Sequence, residues 1–304
     1  MSVLKSIRRI AILSVLAGLS GLSGSWTSST FGQVPSGNFN VATLPPASAT
    51  GPAASADVSP ELGTLTGHPI EPALDIAYKG MRNIKDNIKD YTCILIKRER
   101  INGELKEPEY MEAKIRHEPF SVYLKFLKPA DIAGREVIYV AGANDGNLIG
   151  HEGRGFKAVF GPMQLKPNSP MAMAGNKYPI TEVGIKNLTK RLIEVAENDR
   201  KFGETEVEFK KATIKTPEPR ECTMIQVTHP VPRKNFLFNV ARIYVDNALN
   251  IPIRYEAYDW PTTPGGAPVL TEEYTYARIK LNQGLTDADF DIRNPAYNFQ
   301  KRAQ

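Results

Sequence analysis

Two cysteines and four histidines are all that 304 residues supply for soft-metal or thiol chemistry. Two cysteines cannot form a disulfide framework. None of His68, His117, His151 and His229 stands at ligand spacing from another, so no metal centre is expected. Also missing are a phosphate-cradling loop ending in Lys-Ser/Thr, a G-x-S-x-G elbow and an H-E-x-x-H pair. Gly150, Gly153 and Gly155 run in the wrong order for a dinucleotide fingerprint and read as a loop. The chain is therefore expected to be non-enzymatic, with no cofactor. Charge of one sign is lacking too. The 38 basic and 33 acidic residues give +5, and without Lys5, Arg8 and Arg9 the balance falls to +2. So small an excess offers no reason to expect nucleic acid as a partner.

What is present begins with an export signal. Lys5, Arg8 and Arg9 precede an apolar run from Ile10 to Leu22, shorter than the roughly 20 residues of a spanning helix. Small residues place cleavage after Ser25 or after Gly32; a short uncleaved anchor is the alternative. With no cysteine near that point, a lipid anchor on the mature terminus is not expected. Pro, Ser, Ala, Gly and Thr make up 23 of the 34 residues from Val34 to Gly67. Such a stretch cannot bury enough apolar surface to offset its ordering entropy. The expected organisation is a signal segment (1–32), a disordered tether (33–68), one domain (69–299) and a short tail (300–304). The exported chain would be soluble in the periplasm or cell envelope.

Within the domain, Leu74, Ala77, Met81, Ile84 and Ile88 recur at helical steps over Glu71 to Asp90, with Pro72 in the first turn. A second helix is expected from about Ile185 to Lys201. Elsewhere the pattern is strand upon strand, punctuated by Asn102-Gly103 and Asn144-Asp145-Gly146 turns. Short connections imply antiparallel neighbours. The fold class is therefore α+β: one strongly curved antiparallel sheet, an incomplete β-barrel of about nine to eleven strands, enclosing or packing on two helices.

Candidate sites are few. Cys93 and Cys222 lie on different expected strands, and either a disulfide or two separately buried thiols fits an exported protein. His151-Glu152 is the one pair open to acid–base work, as against a polar loop. Lys97-Arg98-Glu99-Arg100 reads as a solvated strand end or, alternatively, a patch for anionic headgroups that strand alternation would divide between two faces. The stretch from Phe156 to Ile180 is the most informative: Phe156, Phe160, Met163, Leu165, Met171 and Met173 lie among prolines and glycines. A long, apolar, structureless loop in a compact domain is usually functional, and methionine suits irregular ligands. It is expected to be a mobile lid over an apolar cavity, or else a loop packed on one end of the sheet.

Three segments carry a family resemblance: YLKFLKPADIAGREVIYV (Tyr123 to Val140), IYVDNALNIPIRYEAYD (Ile243 to Asp259) and YARIKLNQGLTDADFD (Tyr276 to Asp291). They resemble the lipoprotein-localisation superfamily, LolA/LolB-like, and in detail an exported bacterial family of unknown function, number 1571. The resemblance implies an incomplete barrel with helices on its concave side and a cavity for acyl chains. It transfers no individual residue roles. The function expected is binding of a lipid or lipoprotein acyl chain. The alternative is a sensory or scaffolding module contacting another envelope protein, and a hydrolase using His151 and Glu152 comes third.

Overall fold

The computed structural model describes residues 67–153, 155, 161–215 and 218–299. The expected signal segment, the expected tether up to residue 66, the expected tail, Phe156 and Phe160 lie outside them. Two helices, α1 (Glu71–Asn87) and α2 (Ile185–Asp199), accompany twelve strands. In chain order these are β1 (Asp90–Ile101), β2 (Glu104–Leu105), β3 (Glu109–His117), β4 (Phe120–Lys128), β5 (Glu136–Val140), β6 (Leu148–His151) and β7 (Met163–Leu165). The C-terminal set is β8 (Glu206–Lys215), β9 (Pro219–Thr228), β10 (Val240–Asp246), β11 (Ile251–Asp259) and β12 (Val269–Leu281). The sheet order is β7-β6-β5-β4-β3-β1-β12-β11-β10-β9-β8, with the short β2 paired to β1. Each pairing is antiparallel, and β7 and β8 remain the two edges, so the barrel is incomplete. The strand total passes the sequence expectation through β2 and β7. Two or three residues carry no periodicity by which a strand could be recognised.

Local chemistry explains the elements. Pro72 sits in the first turn of α1, where its missing N–H would have no partner anyway. Asn102 (φ 51°) and Gly103 (φ 84°) both take positive φ, as the turn joining β1 to β2 requires. The helices lie against the inner face of the sheet. Ile84, Ile88 and Ile185 pack with Cys93, Leu95, Met111, Ile115, Leu124, Ile251 and Ile253. Ile70 and Leu74 pack with Ile225, Val227, Ala241 and Ala257. His68, at the edge of the expected tether, is tied to the domain: its ring bonds the Phe202 carbonyl at 2.8 Å.

A third cluster occupies the outer face of β4–β6. Tyr123, Ile138 and Ile149 are covered there by Phe290, Tyr297 and Phe299 of the C-terminal segment. Tyr123 and Tyr297 stack with centroids 4.0 Å apart. Beneath them the fully buried Glu136 accepts from the Tyr123 hydroxyl at 3.0 Å and the Asn298 backbone N–H at 2.6 Å. Antiparallel register also gathers loops 129–135, 229–239 and 260–268 and the β1–β3 hairpin onto one rim of the sheet.

Candidate functional site

Alternation along β1 sends Cys93, Leu95, Lys97 and Glu99 to the inner face. On β12 the same face carries Tyr276, Tyr274 and Glu272, with Lys97 opposite Tyr274 and Glu99 opposite Glu272. Close to the rim the inner face therefore changes from aliphatic to two carboxylates, a lysine and tyrosine. Glu99 is 4% exposed and Glu272 5%. Buried carboxylates demand partners, and a distant stretch of chain supplies them.

That stretch is the strap, residues 161–183. The Lys177 backbone N–H donates to Glu99 Oε2 at 3.0 Å, and its ammonium stands 2.6 Å from Glu272 Oε2. The Tyr178 hydroxyl donates to Glu272 Oε1 at 3.2 Å. Tyr274 donates its hydroxyl to Glu99. Lys97 donates to the Asn176 side chain and stands 3.1 Å from Glu109. Burial, then the neighbouring carboxylates, raises the Tyr178, Tyr255 and Tyr274 phenols above their ordinary range. They remain neutral, and Tyr178 and Tyr274 act as donors to the two glutamates.

The strap is attached differently at its two ends. It enters as β7, hydrogen-bonded to β6, where Met163 and Leu165 are half-buried and Gln164 between them is exposed. It leaves through Ile180 and Val183, which pack on the inner core, and through Gly184, where the Tyr91 hydroxyl accepts the Ile185 N–H at 2.9 Å. Between the ends, Met171 is 61% exposed and Met173 half-buried. The structureless loop expected from sequence is thus corrected. It holds a strand, a turn closed by Met173 N–H to Ser169 O at 2.9 Å, and a 3₁₀ turn at Ile180–Glu182. Sequence reasoning missed the acidic pair beneath it. The available signal was parity: Lys97 and Glu99 continue the inward row of Cys93 and Leu95, so half of that charged run is buried rather than solvated.

The other candidates are not brought together. His151 is 5% exposed and lies beside the Phe299 ring, with neither ring nitrogen hydrogen-bonded. Glu152 is held instead by Arg135, with two contacts of 3.0 Å. Asn144-Asp145-Gly146 is a turn between β5 and β6, as expected. Cys93 and Cys222 are free, buried thiols, so the disulfide alternative does not hold: β12, β11 and β10 separate their strands in the sheet. Burial pushes the Cys93 thiol up strongly and the Cys222 thiol up to about 11. A thiol reagent at pH 8 should find no fast-reacting group in the native protein and two after denaturation without reductant. Fewer than two would restore the bridge. Among the described residues, no cluster of three or more His, Cys, Asp or Glu could hold a metal ion. No helix among them is long and apolar enough to cross a membrane.

No curated protein matches the chain. Solved structures similar to it include the following three. Lipoprotein LppX from Mycobacterium tuberculosis is 13% identical, with a TM-score of 0.40 over 73% of this chain and 100% of that one. A DUF1329 family protein from Desulfovibrio piger is 12% identical, with a TM-score of 0.35 over 74% and 98%. A LolA superfamily protein from Nitrosomonas europaea is 10% identical, with a TM-score of 0.28 over 71% and 97%. Residues 88–299, all but the first helix of the described domain, match the family model described as "Protein of unknown function (DUF1571)", and the chain belongs to that family.

Proposed function

We propose that this domain is an exported, non-enzymatic envelope protein that takes an acyl chain of a lipid or acylated polypeptide against the inner face of the sheet, beneath the strap. One observation carries the reading: the strap's central span is fastened by separable polar contacts on Glu99 and Glu272 instead of being built into the apolar core. A segment held in this way can lift and reseat while the sheet and helices stay packed. Burying each methylene contributes about 0.8 kcal/mol, so a chain of about ten offers roughly 8 kcal/mol. Losing the strap's contacts on the buried Glu99 costs about 3–5 kcal/mol, which that gain offsets. The half-buried Met163 and Met173 give the strap unbranched, adaptable side chains, and the exposed Met171 adds a third at its outer surface.

Lipid extraction and mass spectrometry on protein purified from its native envelope should return one acyl species at about one per chain. Met163→Ser, Met171→Ser and Met173→Ser together should lower that occupancy several-fold with little change in Tm. Ligand-free native protein would overturn the binding reading and favour a sensory or scaffolding module. Unchanged occupancy in the triple variant would remove the strap from it.

A further inference from the structure

Loop 229–239 joins β9 to β10 on the rim that also carries loops 129–135 and 260–268. In that loop Val231 is 46% exposed and Leu237 61%, two of the largest apolar exposures among the described residues. They are not on a floppy segment. The His229 ring stacks on Phe236 at 3.8 Å, and its Nδ1 lies 3.1 Å from the Phe238 carbonyl. The His229 carbonyl accepts from both Asn239 Nδ2 at 2.9 Å and Trp260 Nε1 at 3.0 Å. Buried Asp199, at the end of α2, stands 3.3 Å from His229 Nε2. Asn198 donates to the Asn235 carbonyl, and Arg233 makes a two-pronged pair with Glu204 at 2.8 and 2.7 Å. With the base so fixed, Val231 and Leu237 have no route inward and stay in contact with solvent or a partner.

Beside them lies a cleft of about 310 Å³ lined by Lys201, Phe202, Gly203, Glu204, Arg233, Asn235 and Phe236. Glu204 is its one acid, and Arg233 already neutralises it. Lys201 and Lys234 are exposed, and among the described residues neither has an acidic partner. The side-chain nitrogen of Asn235 is buried without a hydrogen-bond acceptor. Two exposed, unpaired cations call for anionic oxygens. Two rigid apolar tips beside them call for hydrocarbon within a few ångströms of those oxygens. A bilayer's headgroup–acyl boundary offers both together, and the Trp260 indole at the base of the loop is a side chain suited to that depth.

We propose that this rim docks on an anionic phospholipid surface. Val231 and Leu237 enter the headgroup–acyl boundary, while Lys201 and Lys234 face lipid phosphates. The proposal concerns a surface of the domain and does not rest on the acyl site, since a protein with an empty inner face could still dock this way.

Cys93 and Cys222 are buried, so a single introduced cysteine can be labelled selectively. The exported chain carrying Val231→Cys, labelled with bimane, is mixed with vesicles of brominated phosphatidylglycerol. Ala248→Cys, exposed on the β10–β11 turn at the opposite rim, is the control. Quenching is expected at 231 and not at 248. It should be much weaker with phosphatidylcholine vesicles. Lys201→Ala with Lys234→Ala should lower partitioning onto phosphatidylglycerol about 25-fold, at roughly fivefold per lysine, and Val231→Asp with Leu237→Asp should abolish it at unchanged Tm. Equal quenching at both positions, or unaltered partitioning of the lysine variant, would overturn the proposal. So would absence of vesicle binding, which would make Val231 and Leu237 a contact for protein.

Discussion

Replacing Glu99 by alanine is expected to lower the unfolding free energy by about 3–5 kcal/mol, the range for removing one member of a buried ionic network. The carboxylate is 4% exposed and meets groups from three places, two hydrogen-bond donors and one ion-pair partner. These are the Tyr274 hydroxyl on the neighbouring strand, the Lys177 backbone N–H of the strap, and the Lys97 ammonium at 3.6 Å. Alanine leaves the first two without an acceptor, at about 1–3 kcal/mol each. Lys97 keeps Glu109 at 3.1 Å, which holds the loss below that of a fully stranded charge. At roughly 2–4 °C per kcal/mol for a domain of this size, Tm should fall by roughly 10 °C. Glu99→Gln retains an acceptor and should lose about half as much. The Glu99/Tyr274→Phe double-mutant cycle should give a coupling of at least about 1 kcal/mol.

The same substitution should free the strap before the domain unfolds. Trypsin is then expected to cut after Lys177 in Glu99→Ala under conditions where the parent resists, because local opening exposes that bond. A variant within about 1 kcal/mol of the parent, with an equally resistant strap, would show that the acidic pair does not hold it.

The parts of the fold that were legible in the sequence are those with a local cause. The ten longer strands announced themselves through β-branched and aromatic runs between turn residues, and α1 through its apolar step. The site was harder to see because its parts come from different scales of the chain. That Glu99 faces inward follows from parity with Leu95. That it faces Glu272 follows only from the pairing of β1 with β12, a contact across more than 170 positions that leaves no periodic trace. The covering segment docks through a backbone N–H and the side chains of Asn176, Lys177 and Tyr178, and none of these carries a pattern. The cysteines illustrate the same limit. Both strands were recognisable, but sheet order decides whether two thiols meet, and sheet order is a property of the whole chain. His151 and Glu152 are adjacent in the sequence, yet adjacency in an extended chain does not make two side chains converge.

What Glu152 does instead sets up the largest steric effect expected in the molecule. Its ion pair with Arg135 flanks a point where loop 129–135 meets the chain leaving β6, backbone against backbone. A Cβ on Gly153 would stand 2.0 Å from the Gly134 carbonyl carbon and 2.2 Å from its oxygen. No side-chain rotation relieves a clash with backbone, so Gly153→Ala must drive the two loops apart. Parting them would also break both 3.0 Å contacts between Arg135 and Glu152. Overpacking of this kind costs about 3 kcal/mol or more. Gly134→Ala is milder. Its Cβ would lie 3.3 Å from Gly153, and the main penalty is placing alanine at φ +87°, about 1–2 kcal/mol. Arg135→Ala removes a partly exposed ion pair and should lose at most about 1 kcal/mol. Urea unfolding of the three variants should therefore rank Gly153→Ala as most damaging, then Gly134→Ala, then Arg135→Ala. If Gly153→Ala unfolds at the parental midpoint, the close approach is not a feature of the folded protein. If Arg135→Ala proves the worst of the three, the ion pair and not the glycine contact joins these loops.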